Sequence, residues 1–155
     1  MKKTIIIALP LALMLGGFLY VVSRISPGHS GIKRYSYSGG VEEFISHLKN
    51  FSKKNSGTSI AITDTTGNVK TNYTVYIDIE LKNSKSDLLY GIACTKTEDS
   101  NNKSVLIELV MAYDKIHNSG GYNKKAKGVE PLVNNFDSNF LTRLKHDENM
   151  NVASL

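Results

Sequence analysis

The stretch Asn72–Leu81, NYTVYIDIEL, decides the fold. Tyr73, Val75, Ile77, Ile79 and Leu81 take one set of alternate positions, and Thr74, Tyr76, Asp78 and Glu80 take the other. Successive side chains of a strand point to opposite faces, so this run offers one apolar face to a core and one polar face to water. That arrangement belongs to antiparallel sheets, because parallel sheets are covered on both faces and read as continuous apolar runs.

The neighbouring segments extend the same pattern. After the polar turn KNSKSD (82–87) comes LLYGIACT, with Leu88, Tyr90, Ile92 and Cys94 in register for a second strand. Val105–Tyr113, VLIELVMAY, is apolar except for Glu108; a buried helix fits it, but its β-branched residues and short length favour a strand. Upstream, SIAIT (59–63) alternates and leads into DTTGN, where Gly67-Asn68 signals a turn. Further upstream IKRYSYS (32–38) reads as a short edge strand.

Two segments change the period. In VEEFISHLKNFSKKNSG, Val41, Phe44, Ile45, Leu48 and Phe51 share one helical face. Glu42 and Glu43 in its first turn and Lys53 and Lys54 near its end suit the helix dipole. Near the C-terminus, Pro131 suits a helix start, and Leu132, Val133, Phe136, Phe140, Leu141 and Leu144 form an amphipathic face. NSGGYNKKAKG (118–128) is expected to be a long loop, and the residues after Asp147 a frayed tail. The expected fold is therefore α+β: an antiparallel sheet of about four strands with one helix before and one after.

The first residues, MKKTIIIALPLALMLGGFLYVVSRISPGHS, have a different character. Thr4 to Val22 carry no charge, and as a helix they span roughly 28 Å, close to the hydrocarbon thickness of a bilayer. Cleaved signal peptides have a shorter apolar core and a small-x-small site, and the sites here are poor. A retained anchor is favoured over a cleaved leader, with the domain on the extracytoplasmic side of the cytoplasmic membrane. The secreted or periplasmic alternative stands beside it. The organisation expected is an anchor over 1–25, a linker over 26–34, one domain over 35–147 and a tail over 148–155.

Charge supports that division. The 155-residue chain has 19 bases, 14 acids and a net charge of +5. Lys2, Lys3, Arg24, Lys33 and Arg34 are the only charged residues among the first 34, which leaves the rest with 14 bases against 14 acids. The basic excess brackets the apolar segment and the domain is neutral, which argues against a phosphate-backbone-binding surface.

The candidate chemistry is sparse. Cys94, the one cysteine, lies in register with core positions and reads as a small core residue rather than a nucleophile. His47 borders the apolar face of the first helix, while His29 and His146 lie outside the regular elements. Asp114 and His117 would share a helical face as two metal ligands, a geometry lost if the segment is a strand; two ligands make no good site in either case. Asp78 and Glu80 share a strand face, and such a pair serves hydrolysis only when held across a cleft. No catalytic, cofactor-binding or metal-binding residue is assigned. The expected function is a membrane-anchored binding or accessory protein that contacts another envelope protein. A ligand- or lipid-binding module is the alternative, and a hydrolase using Asp78 and Glu80 a weaker one.

Overall fold

The computed structural model describes residues 31–68, 72–97 and 104–155. The anchor segment, most of the linker and the loop after Thr97 lie outside the described residues. The chain forms β1 (Lys33–Ser38), α1 (Val41–Lys54), β2 (Thr58–Asn68), β3 (Asn72–Lys82), β4 (Asp87–Thr97), β5 (Ser104–Asp114) and β6 (Ser119–Gly121). A continuous helical segment follows as α2 (Val129–Asn135), a π-helical stretch (Phe136–Leu141) and α3 (Thr142–Asp147), and β7 (Val152–Ser154) ends the fold. The architecture is α+β, with one antiparallel seven-stranded sheet in the order β2-β3-β4-β5-β1-β7, while β6 pairs with the second half of β5.

The alternation in β3 settles which face is covered. Tyr73, Val75, Ile77 and Ile79 are buried, and the register carries that face across the sheet: Ile77 lies opposite Ile92, and Ile92 opposite Leu109. Val41, Phe44, Leu48 and Phe51 of α1 close over it together with Leu132, Phe136, Phe140 and Leu144 of the C-terminal helix. Aromatic rings join the layers. Phe136 packs 5.9 Å from Tyr35 and 4.9 Å from Tyr90, and Phe140 meets Phe51 edge-on at 5.6 Å. Burial of this surface is the dominant stabilising term of such a domain.

The π-helical stretch has a cause in the sequence. Leu132, Phe136, Phe140 and Leu144 recur every fourth residue. On an α-helix of 3.6 residues per turn, each such step rotates the side chain about 40° ahead. A wider turn, with bonds closing five residues back, rotates it the other way and keeps all four on the core.

Several expectations change. Among the described residues the sheet has seven strands rather than about four. IKRYSYS is no edge strand: β1 lies between β5 and β7, and its Tyr35 and Tyr37 are buried. DTTGN continues β2 instead of turning, with Gly67 at φ +93° and a bulge between Ile62 and Asp64. The ambiguous 105–113 run is β5. The lysine-containing loop begins with β6, and the frayed tail is the last strand, tied to β1 by the pair Ser36–Ala153 with Val152 buried.

Candidate functional site

The residues singled out from the sequence do not converge on one site. The Glu80 carboxylate accepts from Lys115 Nζ and, at 3.3 Å, from Ser59 Oγ. The Lys115 hydrogen bond holds the Glu80 carboxyl below the usual range. Lys115 also lies 3.7 Å from Asp87 Oδ1, so Glu80 belongs to a surface ion-pair group. Asp78 stands in register between Ala61 and Gly91, and neither Asp78 nor Glu80 lines the two grooves described below. Cys94 is fully buried, between Val75 and Ile107 in the register, and burial pushes its thiol up to about 12. It is protonated at neutral pH and packs as a core residue.

His47, His117 and His146 take structural positions, and His29 lies outside the described residues. His47 Nδ1 lies 3.4 Å from Glu148 Oε2, and Lys54 Nζ reaches the other oxygen at 2.6 Å. Asp114 and His117 do meet, at 2.7 Å, although Asp114 ends a strand. Asp114 Oδ1 accepts the Ile116 and His117 N–H groups and so folds the chain back. His146 contacts Asp147 on the exposed last turn of α3. Among the described residues no group of three or more His, Cys, Asp or Glu is placed to hold a metal.

Two other features, which the sequence reading missed, stand out geometrically. The first is a groove of about 740 Å³ between the end of α1, the β3–β4 turn and the C-terminal helical segment. Its rim carries Lys54, Lys82 and Arg143, its walls Asn55, Asn135 and Asn139, and among the described residues no acid lines it. Arg143 donates to Asn55 Oδ1, and its guanidinium lies 5.7 Å from the Phe51 ring centroid. Asn55 in turn donates from Nδ2 to Phe51 O at 2.9 Å, and Asn135 Oδ1 accepts from Tyr90 at 3.1 Å. Gly57 closes one wall: Lys82 N donates to its carbonyl at 2.7 Å, and a Cβ there would stand 2.4 Å from Lys82 O. A second groove of similar volume, about 730 Å³, opens beside Gly31, but there Lys33 is paired with Asp137 and Arg34 with Glu108.

The second feature is the sheet edge. β2 is terminal, eleven residues long, and among the described residues no strand pairs with its outer side. Ser59 and Ala61–Gly67 are exposed. Natural edge strands are commonly blunted by lysine, proline or short length; TSIAITDTTGN has neither residue and carries one charge, Asp64. Ile60 packs partly against the core, and Ile62, two residues on, is 46% exposed.

The chain was compared with protein-family models, curated proteins and solved structures, and no significant match was found in any of the three.

Proposed function

We propose that this chain is a binding or accessory protein of the cell envelope, held at the cytoplasmic membrane by its N-terminal apolar segment, with its α+β domain on the extracytoplasmic side. Its work is to dock another envelope protein rather than to catalyse a reaction. The observation that carries this reading is the open edge of β2. Extended segments add to such an edge through main-chain hydrogen bonds, and side-chain pockets beside it supply selectivity. Here the Ile60–Ile62 row offers an apolar seat for alternate side chains of the incoming strand.

The occupant favoured is an extended, weakly charged segment of a different protein. A second copy pairing antiparallel about Ala61 would set Thr63 opposite Ser59 twice. The bulge between Ile62 and Asp64 would then interrupt the new ladder on both sides. A foreign strand meets one bulge only and pairs over a longer run.

The test is affinity capture of the full-length chain from solubilised membranes, with Ile62→Lys and Ala61→Pro in parallel. A defined partner recovered with the wild type and lost with both variants is the expected result. Recovery of the chain alone, or a mass corresponding to a dimer, overturns the assignment. Membrane fractionation and the mass of the mature chain test the anchor: a chain lacking its first residues in the soluble fraction supports the secreted alternative.

A further inference from the structure

We propose that the groove beside Arg143 is a binding site for a carboxylate-bearing sugar. It rests on observations independent of the β2 edge.

Arg143 is the central one. Its guanidinium is fixed by the Asn55 amide and the Phe51 ring, and among the described residues no carboxylate pairs with it. The other cations of the rim are already engaged, Lys54 with Glu148 and Lys82 with Asp87. A positioned guanidinium presents a planar fork that matches a carboxylate through two parallel hydrogen bonds. The groove therefore offers a seat for one anionic group at a defined place.

The remaining lining specifies what carries that group. Asn135 and Asn139 lie eight and four residues before Arg143 on the same helical segment, which passes through the π-helical stretch, and all three line the groove. Asn139 is exposed and its side chain has no hydrogen-bond partner among the described residues. An amide offers donor and acceptor together, as a row of sugar hydroxyls requires. A lipid chain fits poorly, because Phe51 and Phe140, the aromatic part of the lining, are each only 1% exposed. A volume of about 740 Å³ suits one or two sugar units.

The test uses the full-length chain in mild detergent, titrated with glucuronate, glucose and acetate at matched ionic strength and followed by amide nitrogen–proton correlation spectra. Glucuronate is expected to shift Asn55, Asn135, Asn139 and Arg143 saturably, while glucose and acetate bind at least several-fold more weakly. Arg143→Gln is expected to weaken glucuronate binding by about tenfold or more, Arg143→Lys by less, and Asn139→Ala by a few-fold. Both side chains are exposed, so the fold is expected to be retained, with no change in melting temperature for Asn139→Ala and a small drop for Arg143→Gln from the lost Asn55 and Phe51 contacts. Absence of saturable shifts, equal affinity in Arg143→Gln, or equal binding of glucose or acetate overturns the proposal.

Discussion

At the scale of single residues, the hydroxyl of Tyr90 shows how a buried polar group is held. Tyr90 is fully buried, and its hydroxyl donates toward Leu132 O and Asn135 Oδ1, each at 3.1 Å. Burial raises its pKa well above the ordinary phenol value. Tyr90→Phe removes both contacts and leaves Leu132 O with the Phe136 N–H alone, and a loss of about 1 kcal/mol is expected in urea unfolding. Cys94 is expected to resist thiol reagents in the native protein and to react promptly in denaturant, since burial keeps it protonated; a time course with a chromogenic disulfide measures this. Glu148 supplies a pH dependence. Its side chain is 6% exposed, and the Lys54 hydrogen bond, helped by His47, holds its carboxyl below the ordinary 4.5. A depressed folded-state pKa contributes stability above the unfolded value and loses it as pH falls through the folded one. Glu148→Gln is therefore expected to lower the urea midpoint near pH 7, with the difference from wild type vanishing toward about pH 3.

At the scale of elements, α1 and β3 could be read directly, because each expresses one clean period and its end signals agree. Glu43 accepts from the Gly40 N–H at 3.3 Å, and Asn55 closes the far end on Phe51 O. β2 and β6 resisted reading because their residues are turn formers by habit. Gly67, Gly120 and Gly121 all have positive φ, yet all lie in strands, held by the partner strand rather than by local preference. Gly120 is the severe case: φ is +113° and a Cβ would stand 2.2 Å from Ala112 O. Gly120→Ala is expected to cost about 1–3 kcal/mol and to raise hydrogen exchange at Ala112 and Tyr113. The groove was illegible for a related reason. Asn55, Asn135, Asn139 and Arg143 look like ordinary surface residues along the chain, and no spacing rule joins position 55 to position 143.

At the scale of the whole molecule, closure depends on the last residues. β7 pairs with β1, and Met150 and Val152 are 7% and 3% exposed. A chain ending at Asp147 loses both burials, worth about 3–6 kcal/mol at the usual transfer values and thus a large share of a small domain's stability. Urea unfolding of this truncation is expected to show a much lower midpoint; an unchanged one would mean that β7 adds nothing to the core. By itself, the sequence determined the α+β class, the antiparallel sense of the sheet, the faces of α1 and β3 and the neutrality of the domain, since these follow from period and charge, which are local. Only tertiary structure decided the seven-strand order, the interior place of β1, the strand at the C-terminus, the bare β2 edge and the groove around Arg143. Those depend on contacts between residues some hundred positions apart, whose energies arise only once the chain has closed on itself.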